Sequence, residues 1–233
     1  MPEFPIYLVA GGRDSMKRRG PDPLLREALQ ASGVERPRVA YVGAASGDNP
    51  AFRLMIGAML KKAGAAAVAL APLCGRRADP EKAREVLRAA DVVFMSGGDV
   101  GEGMAVLSEK RMSAFFRKLF REGKPFVGVS AGSIMLARAW VRWKDPAVES
   151  SAEVFPCLGL APVLCDTHGE GDSWEELRAL LALSPAGSIG YGIVSGSAIV
   201  CRSGGKVEAR GGEIHRFRRR STGVAQIESL RPA

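Results

Sequence analysis

Ser130 stands where an apolar run, residues 126–129, meets small residues and then an apolar helical pattern. Gly128-Val129-Ser130-Ala131-Gly132 spells G-x-S-x-G, the pattern of a tight strand-to-helix turn that lifts a hydroxyl to the rim of a sheet. Small neighbours suit such a turn, because the serine backbone is strained. Backbone N–H groups at the following helix N-terminus would face negative charge developing on a substrate. The chemistry is nucleophilic attack on a carbonyl. The same serine also fits a plain helix N-cap, and the pentapeptide alone does not separate the two. A serine nucleophile needs a base, and histidine is the usual one. The chain has two histidines. His168 closes the apolar stretch 161–168, at the rim where Ser130 is expected, and is the candidate base. His215 lies in an arginine-rich terminal strand and is expected to be exposed. Neither histidine belongs to a ligand-spaced cluster, and Cys74, Cys157, Cys165 and Cys201 show no C-x-x-C spacing. No metal and no cofactor are expected, and the thiols are expected to be free.

The elements that must position these groups are short apolar runs alternating with helical patterns. Strands are expected at 6–12, 38–45, 65–73, 91–99 and 125–130, and helices at 22–33, 49–64, 80–90 and around 112–122. The strands are continuously apolar, which indicates a sheet buried on both faces. Regular β–α alternation implies a three-layer α/β protein with a mostly parallel sheet and helices on both sides. Ligands bind such a sheet beyond the carboxyl ends of its strands, where the glycine turns at 11–12, 97–98 and 128–132 fall. In the last third, 161–168 reads as a strand. Residues 173–185 read as a helix capped by Ser173, with Glu176 completing a capping box. Glycine pairs then punctuate β-rich pieces, read as hairpins at an edge of the sheet. No repeat or linker interrupts the chain, and a single domain over 1–233 is expected.

The 233 residues are enough for a sizeable core, and 46% hydrophobic with 25% charged residues is an ordinary globular composition. The start shows no signal-peptide pattern, and no run approaches the roughly 20 apolar residues of a membrane span, so a cytoplasmic protein without membrane contact is expected. The net charge is +8, with basic clusters at Lys17-Arg18-Arg19 and at Arg216 with Arg218-Arg219-Arg220. No aromatic platform or binding motif accompanies them, so nucleic acid is not the expected partner. A solvated basic surface, or attraction for anionic substrates, accounts for the charge.

With Ser130, His168 and the glycine turn together, the sequence resembles the serine peptidase family of dipeptidase E (aspartyl dipeptidase) and cyanophycinase, whose fold is related to class I glutamine amidotransferases. "YVGAASGDNP", "VVFMSGGD", "PFVGVSAGSIML", "LCDTH" and "IGYGIVSGSAIVCRSGGKVEARGG" carry the resemblance in order through most of the chain. It implies Ser130 as nucleophile, His168 as general base, and the N–H groups of Gly98 and Ala131 as oxyanion hole. It implies Asp145 as the third catalytic member, because Asp145 follows the serine at the distance of the dipeptidase E carboxylate. Asp166 would share a strand face with His168 but is structural by family position, and Glu170 and Asp172 are nearby alternatives. Gly97, Asp99 and Glu170 are expected to touch substrate. Family members commonly carry arginines after this histidine, whereas "GEGDSWEELRALL" has only Arg178. Asp-Xaa specificity is therefore in doubt. Glu170, Asp172 and Glu175 would favour a free amine or a basic residue, or simply suit a helix N-terminus. The tryptophans of "WVRWKDP" (140–146) line a pocket or pack on the sheet.

Other classes fit less well. An α/β-hydrolase esterase usually places its histidine much farther along the chain, and a glutaminase-type amidotransferase needs cysteine at position 130. The expectation is a serine-type peptidase hydrolysing short peptides or a related amide through an acyl-enzyme at Ser130, with a small peptide as its partner. The alternative is a non-catalytic small-molecule or peptide binding protein on the same fold. A homodimer is compatible with the sequence.

Overall fold

A computed structural model describes residues 5–12, 20–145 and 147–232. The basic cluster Lys17-Arg18-Arg19 and the extreme N-terminus lie outside the described residues. In chain order the elements are β1 (Ile6–Val9), α1 (Pro23–Gln30), β2 (Arg38–Val42), α2 (Pro50–Ala63), β3 (Ala67–Leu70), α3 (Pro80–Ala89), β4 (Val92–Met95), α4 (Val100–Glu109), α5 (Ser113–Arg121), β5 (Phe126–Val129), α6 (Ala131–Leu136), β6 (Ala139–Trp143), β7 (Ala152–Pro156), β8 (Leu164–Thr167), α7 (Glu175–Ala182), β9 (Ile189–Ile193), β10 (Ala198–Cys201), β11 (Val207–Arg210), β12 (Ile214–Arg220) and β13 (Gly223–Leu230).

The main sheet has the order β11-β10-β1-β5-β4-β2-β3. Its five strands from β1 to β3 are parallel, and the β10–β11 hairpin closes one edge antiparallel. Both faces are buried, as the continuous apolar runs require. Tyr7, Val9, Tyr41 and Phe94 meet Leu24, Leu25 and Leu29 of α1 and Ile56 and Leu60 of α2. Ile6, Leu8, Val42 and Met95 face the other way, into Leu87 of α3, Leu107 of α4, Phe116 of α5 and Met135 of α6. Each such side chain contributes about 1.5–3 kcal/mol on burial. Helices on both faces of a mostly parallel sheet are the three-layer architecture expected.

Residues after the 97–98 glycine turn form an additional helix, α4, capped by Asp99, which accepts from the Glu102 N–H at 2.8 Å. Two local expectations are corrected. Strand β8 does not join the main sheet. The edge beside β1 is occupied by β10, so β8 pairs with β9 in a second sheet ordered β13-β12-β9-β8. The helix expected from Ser173 begins only at Glu175, and Ser173 makes no cap. Ser173 and Trp174 have positive φ, and the Asp172 carboxylate accepts from the Trp174 and Glu175 N–H groups instead. The cause is Trp174, which is 4% exposed and packs against Phe217 in the core between α7 and the second sheet. Gly192 leaves the room it needs: a Cβ there would lie 2.6 Å from the indole.

Candidate active site

Ser130 occupies the turn between β5 and α6 at φ 54°, ψ −125°. For a non-glycine residue this conformation costs on the order of 1–3 kcal/mol, and it persists only where the surroundings over-determine it. They do so here. The Ser130 N–H donates to the Val9 carbonyl at 2.8 Å, and the Ser133 hydroxyl fastens α6 to the same carbonyl at 2.9 Å. The turn is too tight for side chains on its glycines. A Cβ on Gly132 would lie 2.1 Å from the Met95 carbonyl oxygen, and one on Gly128 would lie 2.6 Å from the Gly132 oxygen. The Ser130 side chain makes no capping hydrogen bond to α6. The N-cap reading therefore fails, and the half-buried hydroxyl is left available.

The β4–α4 turn faces this serine. A Cβ on Gly97 would lie 3.1 Å from Ser130 Cβ, so substrate reaches the hydroxyl past a bare backbone. Gly98, at φ 141°, would put a Cβ 1.9 Å from the Ala45 carbonyl oxygen, so only glycine fits there. Among the described residues, neither the Gly98 N–H nor the Ala131 N–H has an acceptor. Asp99 sits beside them, with its carboxylate turned to its own helix.

His168 follows β8 at φ 66° and is exposed. It lines the same cavities as Ser130. Its Nδ1 lies 3.0 Å from Ser195 Oγ, in the β9–β10 connection. The Ser195 N–H in turn donates to Glu170 Oε1 at 2.5 Å. Burial alone would raise the Glu170 carboxyl, but hydrogen bonds from Ser195 and the nearby His168 outweigh it and hold the group below its usual range.

The structure does not bring Asp145 to the histidine. Asp145 lies exposed in the turn after β6, where its carboxylate accepts from the Ala147 N–H at 3.0 Å. Asp166 is buried, and accepts from the Thr167 N–H at 2.7 Å. Burial, with Glu176 and Asp172 nearby, pushes its carboxyl up to about 7. Ser195 is the residue sequence reasoning missed. A serine in a glycine-rich loop carries no signal by itself, and only strand pairing brings it to His168.

Two cavities meet at Ser130, His168 and Gly98. The larger, about 660 Å³, is walled by Leu25, Phe52, Ile56, Met59, Phe94 and Val129. The smaller, about 260 Å³, carries Asp99, Asp166, Asp172, Glu176 and Trp140. Each of these four carboxyls already has a partner: three accept from backbone N–H groups, and Glu176 accepts from Trp140 Nε1 at 2.6 Å. Their structural roles account for them without a ligand. Trp143 lines a separate hollow with Glu175 and Arg178 that touches neither Ser130 nor His168. The four cysteines are free, and burial raises the thiols of Cys157 and Cys201 to about 12, far from nucleophilic. Among the described residues no group of three or more His, Cys, Asp or Glu side chains is arranged to share a metal ion, and no helix is long and apolar enough to cross a membrane. On β12, Arg216, Arg218 and Arg220 fall on one face of the strand, and Arg219 falls on the face of the buried Phe217.

A doubly covered, mostly parallel sheet with a strained serine at a strand-to-helix turn defines an α/β protein with its candidate site at the carboxyl rim of the sheet. The chain belongs to peptidase family S51, whose family model matches residues 6–209. It is a peptidase by that membership. Among solved structures it is similar to a peptidase from an acI-B1 Actinobacterium, with a TM-score of 0.73 at 16% identity over 99% of this chain and 97% of that one. It is also similar to a putative peptidase E protein from Listeria monocytogenes EGD-e, with a TM-score of 0.64 at 15% identity over 89% of this chain and 98% of that one. No curated protein matches the chain.

Proposed function

We propose that this protein is a serine-type peptidase acting on short peptides or a related amide. Ser130 Oγ attacks the scissile carbonyl carbon while His168 Nε2 takes the hydroxyl proton. The carbonyl oxygen becomes an oxyanion that accepts from the Gly98 and Ala131 N–H groups. The tetrahedral centre collapses, and the leaving nitrogen departs with the proton from His168. Water, deprotonated by His168 Nε2, then attacks the ester carbonyl carbon. The second tetrahedral centre collapses, Ser130 Oγ leaves and takes the proton back from His168, and the acid is released. Losing one oxyanion donor typically costs ~3 kcal/mol of transition-state stabilisation. The observation that carries this reading is the strained backbone of Ser130, whose hydroxyl is not used by its helix and opens onto cavities shared with His168.

The larger cavity supports a substrate with a bulky uncharged side chain, because its described walls are mostly apolar and buried methylenes contribute about 0.8 kcal/mol each. No lysine or arginine is among the described residues lining either cavity, which argues against an aspartyl side chain as the recognised group. The test is hydrolysis of Leu-Xaa, Phe-Xaa, Asp-Xaa and Lys-Xaa dipeptides, free and N-blocked, by wild type, Ser130→Ala and His168→Ala. Cleavage of the apolar substrates that disappears in both variants supports the reading. Cleavage that survives in Ser130→Ala overturns it. A fluorophosphonate that labels wild type but not Ser130→Ala separates an active serine from a binding protein on the same fold.

A further inference from the structure

We propose that Ser195 and Glu170 together are the positioning pair of the catalytic histidine, with a neutral hydroxyl where serine hydrolases usually set a carboxylate against the imidazole. The proposal rests on the serine peptidase reading of Ser130 and His168. Its basis is two contacts made by one residue: His168 Nδ1 lies 3.0 Å from Ser195 Oγ, and the Ser195 backbone N–H donates to Glu170 Oε1 at 2.5 Å. With Nδ1 protonated, Nδ1–H donates to Ser195 Oγ, while Glu170 holds Ser195 in place through its backbone N–H. The lone pair of Nε2 is then left for the Ser130 proton, which is the tautomer a general base needs. When His168 becomes imidazolium, the nearby compensating charge is that of Glu170, held on the Ser195 backbone rather than hydrogen-bonded to the ring. The imidazolium is stabilised less than by a touching carboxylate.

The fold explains why this residue has the role. His168 is carried by the second sheet, and its N–H donates to the Ile193 carbonyl at 3.4 Å. Ser130 is anchored to β1 of the main sheet. The β9–β10 connection passes from one sheet to the other. Its Gly196 N–H donates to the Gly11 carbonyl, and its Ser197 carbonyl accepts from Ala10, so the loop is tied to the end of β1. Ser195 therefore fixes the imidazole relative to the serine across the seam between the sheets. Asp145, in the β6–β7 turn with its carboxylate engaged by Ala147, makes no contact in this chain of bonds.

The test compares wild type, Ser195→Ala, Ser195→Asp and Glu170→Gln by NMR titration of the His168 ring, by the pH dependence of kcat/KM, and by fluorophosphonate labelling of Ser130. With only two histidines, His215→Asn assigns the signal. Asp99, Asp166, Asp172 and Glu176 border the same site from the other cavity and are unchanged in every variant, so a shift reports the pair. The expected result is a loss of about 100-fold in kcat for Ser195→Ala, the lower range of a general base's contribution, with KM nearly unchanged. The His168 titration should move to lower pH in Glu170→Gln. It should move to higher pH in Ser195→Asp, with kcat recovered relative to Ser195→Ala. A His168 titration and kcat identical in wild type, Ser195→Ala and Glu170→Gln would overturn the pair while leaving the nucleophile intact. Failure of the fluorophosphonate to label wild-type Ser130 would overturn the underlying peptidase reading, and the pair with it.

Discussion

The two halves of the site are built by different means. The serine half is backbone: β5, the turn and α6 close on one another with no room for a methyl group, and the strain at Ser130 is held by main-chain bonds to β1. The histidine half is side chain: an exposed imidazole, an exposed hydroxyl and a carboxylate at the ends of a second sheet. Backbone packing resists displacement, because close-packed atoms have nowhere to move. Exposed hydrogen bonds between side chains are worth about 1 kcal/mol each and re-form easily. Ser130 is thus fixed in advance, while the His168 side chain is free to settle.

That contrast breaks most visibly at Gly132. Gly132→Ala should cost more than about 4 kcal/mol, since the new methyl meets a main-chain oxygen with no rotamer to escape into, whereas Ser195→Ala should change stability by less than about 0.5 kcal/mol. Denaturant midpoints for both variants check this, and similar midpoints would refute the contrast. Asp166 lies behind the histidine half and ties it to pH. Its folded carboxyl titrates near 7, above the value of about 3.9 in an unfolded chain. Its contribution to stability is therefore fully present below about pH 4 and disappears as pH rises through 7, by at most about 4 kcal/mol. The melting temperature should fall between about pH 4 and pH 7 in wild type and fall less in Asp166→Asn.

A smaller effect sharpens the contrast between the cavities. Met59→Lys places a cation on the apolar wall and should shift the kcat/KM ratio of Asp-Xaa to Leu-Xaa substrates upward by about 10-fold, as differences of 1–3 kcal/mol in a pocket do. An unchanged ratio would show that the larger cavity does not hold the recognised side chain. The smallest effect concerns the start of α7. Asp172→Ala should cost about 1 kcal/mol through the lost cap, while Ser173→Ala should cost almost nothing. The reverse order in thermal melts would restore Ser173 as the cap.

Much of the serine half was readable from the chain alone. The apolar run 126–129, the small residues at 128, 131 and 132 and the glycines at 97–98 are local requirements of a tight turn, and local sterics write themselves into neighbouring residues. Helix α4 was legible too, in Asp99 followed by Glu102, but the glycines around it obscured the signal. The histidine half was legible only as far as His168 itself. The family resemblance implied Asp145 as its partner, yet a matching offset along the chain does not measure distance in space.

The sequence by itself determined a doubly covered parallel sheet, a serine at the end of its central β5 strand and a histidine as the base to look for. These follow from periodicity and from bond geometry within a few residues. Only the tertiary structure decided that β8 would leave the main sheet, that Trp174 would postpone the start of α7, and that Ser195 and Glu170 would stand behind the imidazole. Those outcomes depend on which strand edges are already taken and which volumes are already filled, quantities that exist only after distant segments have packed.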